Sequence, residues 1–378
     1  MVKISRGHTI AAGIITLVAV LLLAEGAGAV RKINSCTDIT SPDTYVLSTN
    51  IVNSGALRCI NITSSNVILD GAGYTIDGTG TEDTYGIYVY DPKGAGLTNV
   101  NVKNLKVTDW YYGIYYSGYF ETANGSITDN FVSSDRSGIT LEYASNHILT
   151  NNSVVSGGIE LLYSWSNKIT NNNAGIFLHH SYGNTITGNN ASSKGGIVLH
   201  YAVDNLVTRN DVSSNNYGIS SYYASNNTIT DNFVSSNDNG IYLTSSDNNT
   251  IYNNYFNNTN NAWDDGSNIW NIKKTAGTNI IGGSWLGGNY WSDYAGEDIN
   301  GDGLGETLIP YNSGNITNGG DRLPLVRTAT SYGITGTGFN DMNRNRVRDA
   351  ETGLDTHYFP NPLSASGRRS KYDSRFRE

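Results

Sequence analysis

Tyr217-Gly218-Ile219-Ser220-Ser221-Tyr222-Tyr223-Ala224-Ser225-Asn226-Asn227-Thr228-Ile229-Thr230-Asp231-Asn232 is one copy of a phrase that recurs along the chain. Its Gly-Ile pair stands also at Gly86, Gly113, Gly138, Gly158, Gly175, Gly196 and Gly240, at intervals settling near twenty-two residues. Its second half returns as Asn-His-Ile-Leu-Thr-Asn from Asn146, and in related form from Asn167, Asn184, Asn205 and Asn249. A period in this range, built from short alternating runs with no helical pattern, signals a β-solenoid.

Within a repeat, the first and third residues after Gly are apolar in most copies, as in Ile139 and Leu141, Ile176 and Leu178, or Ile241 and Leu243, while the second and fourth vary. That is period two, a strand with one buried face. A single strand of this kind cannot bury its own face. Coils stacked about 4.8 Å apart bury all of them on a common axis and satisfy one another's backbone groups. The Asn that closes each phrase (Asn130, Asn151, Asn172, Asn189, Asn210, Asn232 and Asn254) suits the turns. Asn tolerates left-handed backbone, and its amide bonds to the same residue one coil away, giving a ladder. The spacing predicts one all-β parallel helix over residues 40–261, of about ten coils. Ile139, Ile159, Ile176, Ile197, Ile219 and Ile241 are expected to form one internal column.

Residues 1–29 carry Lys3 and Arg6, an apolar run from Ile10 to Ala24, and Ala27-Gly28-Ala29, the pattern of a secretory signal peptide cleaved before Val30. An uncleaved membrane anchor is the alternative, although the run is short for a span. The remaining chain holds two cysteines, Cys36 and Cys59, and in an oxidising compartment a disulfide between them is the economical reading. The chain has 24 Lys plus Arg against 33 Asp plus Glu, a net charge of −9, which argues against a nucleic-acid partner. Sequons at Asn61, Asn124, Asn151, Asn190, Asn226, Asn248, Asn257 and Asn315 suit a glycosylated surface protein, but a composition rich in Asn, Ser and Thr generates them by chance.

The organisation that follows is a signal peptide (1–29), an N-terminal cap with first coils (30–83), regular coils (84–261), a Trp- and Gly-rich C-terminal cap (262–326), and a truncated second module with a disordered tail (327–378). Asn66-Val-Ile-Leu-Asp-Gly-Ala-Gly-Tyr-Thr-Ile-Asp77, the Asn-Thr-Ile-Thr coils and Gly288-Asn289-Tyr290-Trp291-Ser292-Asp293-Tyr294 together resemble the NosD-type family of right-handed parallel β-helix proteins, also described as carbohydrate-binding and sugar-hydrolysis repeats. The similarity covers roughly residues 36–326. It implies the fold, a place on the cell surface, outside the cell or in the periplasm, and a copper association carried by the family name. Fold likeness by itself says little about activity. Between Gly333 and Leu354, the run Asp341 to Glu351 is similar to the calcium-loop start of B-repeat modules in cell-wall proteins. It departs from them at Arg346, where the turn needs Gly, and at Glu351, one place short of the bidentate position.

Parallel β-helices host lyases and epimerases of acidic glycans, and such an enzyme is one alternative reading. The acid, base and His clusters those reactions need are not evident in the coils. The outward positions point instead to binding. The second and fourth residues after Gly supply Tyr88, Tyr115, Glu142, Glu160, Phe177, His179, His200, Tyr222 and Tyr242 as candidate polysaccharide contacts. The fifth supplies Tyr143, Tyr163, His180, Tyr201 and Tyr223. Sugar rings stack on exposed aromatic faces, and their hydroxyls bond to Glu, Asn and His. Stacked tyrosines also stabilise neighbouring coils without any ligand. His179 and His200 share a column, with rings expected about 5 Å apart, so a copper accessory role is a further alternative. Soft copper ligands are lacking, since the only methionines are Met1 and Met342 and the cysteines are expected to pair. Calcium is the better expectation: Asp298, Asn300, Asp302 and Gly303 reproduce the start of a calcium loop, the Leu304 carbonyl supplies the next ligand, and Asp293 or Glu306 completes the shell.

Overall fold

The computed structural model describes residues 30–118 and 121–327. The expected signal peptide and the second module from residue 328 onward lie outside the described residues. An eleven-stranded sheet, a thirteen-stranded sheet and a shorter four-stranded sheet form three sides of a parallel β-helix. Among the described residues no helix is long and apolar enough to cross a membrane.

Each side contributes an internal column through its period-two pattern. On the Gly-Ile side, Ile139, Ile159, Ile176, Ile197, Ile219 and Ile241 are successive register partners. All six are fully buried, as the repeat predicts. The Asn-x-Ile side stacks Ile127, Leu149, Ile169, Ile186, Val207, Ile229 and Ile251. The third side stacks Val212, Val234, Phe256 and Trp291. In the early, longer coils, the ladder shifts register on both sides of Trp110, whose buried indole N–H donates to the Ile76 carbonyl at 3.1 Å.

The corners correct the expectation about Asn. The repeat assigns left-handed backbone and ladder bonding to one residue, yet adjacent residues divide the two tasks. Asp129, Asn151, Asn171, Arg209 and Asp231 take positive φ on the outside, and Asn253 takes it where the C-terminal segment buries it and the Ile280 N–H donates to its Oδ1. The residue after each, Asn130, Asn152, Asn172, Asn210, Asn232 or Asn254, points inward and builds the ladder. Asn152, not Asn151, is therefore the rung in that coil. The side-chain direction reverses between neighbours, so one corner residue cannot both face solvent and reach the axis. A second ladder runs from Asn167 through Asn184, Asn205, Asn227 and Asn249 to Asn268, with His147 donating its backbone N–H into the first rung.

Cys36 and Cys59 are disulfide-bonded near the N-terminal end. At the other end, coil pairing continues past residue 261. Asn260–Asp264 extends the Gly-Ile sheet, with Ile241 paired to Ala262. Asn289 and Trp291 then return to add the last rungs over Asn254 and Phe256.

Candidate functional site

All nine expected contact residues lie on the outer face of the Gly-Ile sheet. One column runs Tyr88, Tyr115, Thr140, Glu160, Phe177, Val198, Ser220, Tyr242 and Trp263 in continuous register. The next runs Glu142, Leu162, His179, His200, Tyr222 and Thr244.

They are not equally available. Tyr88 is only 8% exposed, because the Arg58 guanidinium lies 3.9 Å over its ring and Tyr85 packs against it edge-on. The Tyr115 hydroxyl donates to Glu142 Oε2 at 2.9 Å. Burial, reinforced by that carboxylate, raises the Tyr115 phenol far above its usual range. Glu160 is held by Arg136 at 3.3 Å; burial still raises its carboxyl, against the pull of that guanidinium. The imidazoles of His179 and His200 have centroids 4.7 Å apart, and His180 lies 4.5 Å from His179. Burial first, then His180 and His200, lowers the His179 pKa, so the ring is neutral at physiological pH and both donates and accepts.

The corner column forms a continuous stack. Tyr143, Tyr163, His180, Tyr201 and Tyr223 follow one another at 5.0, 5.0, 4.6 and 5.0 Å, with planes within 9° of parallel. Each has φ near +50°. Left-handed backbone costs a non-Gly residue about 1–2 kcal/mol, and most other corners of this helix meet it with Asn, Asp, Ser or Gly. Stacking also overturns the picture of sugars lying flat on each ring. Every inner ring has both faces covered by its neighbours, so the column presents ring edges and polar atoms instead.

Sequence reasoning misses Arg58, Tyr85, Tyr112 and Arg136. Tyr85 and Tyr112 stack at 4.9 Å beside Tyr88 and Tyr115, and burial pushes the Tyr85 phenol up to about 12. Tyr-Gly-Ile recurring at Tyr85, Tyr112 and Tyr217 is the sequence signal that marks this column. The two arginines carry no repeat signature.

The calcium-like loop assembles in part. Carboxylate oxygens of Asp298, Asp302 and Glu306 lie within 4.8 Å of one another, the only such cluster of three acid, His or Cys groups among the described residues. Asn300 bonds to Glu306, and the Leu304 N–H donates to Asp302 Oδ1 at 2.9 Å. The donors are hard oxygens, the type calcium takes. Burial pushes the Asp302 carboxyl up, but Lys274 and the Leu304 N–H outweigh it and hold it below the usual range. Asp293 stands elsewhere: its Oδ1 accepts from Asn261 Nδ2 at 2.6 Å and from the Tyr311 hydroxyl at 2.7 Å. Of the two acids expected to complete the shell, the structure brings in Glu306.

A profile of the family described as "Periplasmic copper-binding protein (NosD)" matches residues 48–192 and 166–296. Among solved structures, the Dettilon tailspike protein (gp208) is similar at 17% identity and a TM-score of 0.45, over 64% of this chain and 61% of that one. The Azotobacter vinelandii mannuronan C-5 epimerase AlgE6 A-module is similar at 14% identity and a TM-score of 0.46, over 64% of this chain and 82% of that one. A point mutant of the periplasmic alginate epimerase AlgG is similar at 14% identity and a TM-score of 0.38, over 61% of this chain and 63% of that one. This chain thus spans about three fifths of the tailspike's length. No curated protein matches.

Proposed function

This chain belongs to the NosD family, and we propose that it is a non-catalytic extracytoplasmic β-helix that binds a polysaccharide along the outer face of its Gly-Ile sheet. The observation that carries this reading is the corner column. Five aromatic residues occupy successive left-handed positions, where the backbone disfavours them, and the tyrosines among them remain 41–54% exposed. Beside them, His179, His200, Tyr222 and Tyr242 repeat hydrogen-bonding groups once per coil. A linear glycan, with its own regular repeat of hydroxyls, matches such a surface better than a compact solute does. The disulfide and the periplasmic description of the family fit an extracytoplasmic location. Calcium in the Asp298 loop belongs to the same reading as a structural ion.

One observation favours a second reading. The His179–His200 pair, set against the family description, suits a copper site, which predicts stoichiometric copper lost on His200→Ala. A polysaccharide array run beside a turnover assay on the same glycans separates the cases. Binding without turnover, weakened in both Tyr222→Ala and His200→Ala, supports the proposal. Turnover replaces it with an enzyme of acidic glycans, and binding to no glycan removes it.

A further inference from the structure

The aromatic column ends differently at its two ends. Tyr143, the first rung, is 42% exposed, the same as the inner rungs Tyr163 and Tyr201 at 41% each. The preceding coil holds Gly118 at the matching position, so close that a Cβ there would lie 2.5 Å from Tyr143 Cβ. Tyr223, the last rung, is 54% exposed, and Tyr201 covers one of its faces. The next position in the column is Ser245, which has the same left-handed backbone, φ 49°, and no ring. The slot left by the missing ring is one coil deep, about 4.8 Å. Its rim is polar: the Ser245 N–H donates to Asp265 Oδ1 at 2.6 Å, and the other oxygen of that exposed carboxylate takes no hydrogen bond among the described residues.

We propose that this slot is a sugar subsite, in which one pyranose ring of the bound glycan stacks on the free face of Tyr223 and takes the place of the next rung. The apolar C–H face of a pyranose matches the ring face, and its equatorial hydroxyls point outward to a rim that supplies Asp265 and the Ser245 hydroxyl. A planar apolar ligand would leave those rim groups without partners. The subsite presupposes the glycan reading above and narrows it from a whole face to one ring.

The test uses the full chain and three probes, cellohexaose, chitohexaose and hexagalacturonate, titrated by calorimetry. For the probe that binds, Tyr223→Ala is expected to weaken affinity about tenfold or more, the scale of one lost ring contact. Tyr223→Phe keeps the ring face and is expected to retain most of the affinity, whereas Tyr163→Ala, at an inner rung that offers only its edge, is expected to lose about threefold, less than Tyr223→Ala. Ser245→Arg leaves Tyr223 in place but lays a guanidinium over its free face, paired with Asp265, and is expected to block binding. Equal losses in Tyr163→Ala and Tyr223→Ala, or full binding by Ser245→Arg, overturn the subsite while leaving the glycan reading intact. Binding of none of the probes, with a positive array elsewhere on the face, overturns the subsite alone. A blank array removes both.

Discussion

The backbone N–H of Asn289 donates to Asp321 Oδ2 at 2.7 Å, and the same oxygen takes the Trp291 indole N–H at 2.9 Å. This contact ends the first Asn ladder. Each rung accepts on Oδ1 from the coil before it and donates from its amide to the coil after it, so the last member has no further rung to donate to. The Asp321 carboxyl answers the backbone N–H of Asn289, while the Asn289 side-chain amide donates to the Ile251 and Trp270 carbonyls. Gly288 makes room, since a Cβ there would lie 1.8 Å from Asp321 Oδ1. The second ladder ends in the same way, with Asn268 Nδ2 and Trp270 Nε1 donating to buried Asp264 at 2.9 and 3.0 Å.

Asp321→Ala strips the acceptor from Asn289, Trp291 and Leu323 at once. Buried unsatisfied donors cost about 1–3 kcal/mol each, so a loss of roughly 3 kcal/mol or more is expected in urea unfolding at unchanged m-value. A loss below about 1 kcal/mol, the net scale of a single replaceable bond, would show that water substitutes for the carboxyl.

Burial raises the Asp321 carboxyl to about 7 from its ordinary value of 3.8, although four donors pull the other way. The folded state therefore holds more protons than the unfolded chain between those values. The stability this contributes is present in full below pH 3.8 and is lost as pH rises through 7. Burial also raises Asp70 and Asp91, but the Ala72 N–H, Asn104 and Lys103 outweigh it at Asp70 and backbone N–H groups outweigh it at Asp91, so both act in the opposite sense and the wild-type curve is a sum. The difference between wild type and Asp321→Asn isolates the residue. It should change with pH between about 4 and 8, with wild type losing ground as pH rises, and a flat difference would refute the assignment.

Neighbours at one corner should respond unequally. Asn152→Ala removes the acceptor of Asn130 N and Nδ2 and the donor to the Ile127 carbonyl, for an expected loss of roughly 3 kcal/mol. Asn151→Gly, at φ 57°, relieves left-handed backbone and is expected to stay within about 1 kcal/mol of wild type. Equal effects would mean the ladder register is wrong.

Calcium at a hundredfold excess over its dissociation constant is expected to stabilise the chain by about 2.7 kcal/mol, read as a rise in melting temperature that chelator reverses. Asp302→Ala should abolish the response. A melting temperature indifferent to calcium and chelator in the wild type argues that Asp298, Asp302 and Glu306 serve only as turn residues.

Ile219 and Ile241 were legible as core from the repeat alone, because a strand residue flanked by varying neighbours and repeated once per coil has one stable destination. His179, His200 and Tyr222 were likewise placed on one outer column. Arg58 and Asp321 were invisible. Each occurs once, and each finds its partners through the winding of the chain: Arg58 reaches Tyr88 across one coil, and Asp321 reaches Asn289 after a loop of more than thirty residues.

The sequence by itself determined the coil: period two within a strand, near twenty-two between coils, and Asn, Asp and Gly where the chain turns. Local sterics and the need to bury one face set these, and both act within a single repeat. Only the tertiary structure decided which of two adjacent corner residues faces the axis, since a one-residue slip leaves the composition unchanged and reverses every side chain. It also decided that the inner rings of the column show edges and that Tyr223 is the most exposed of its tyrosines. A ring's exposed side depends on what the next coil places above it, and Ser245 places no ring there.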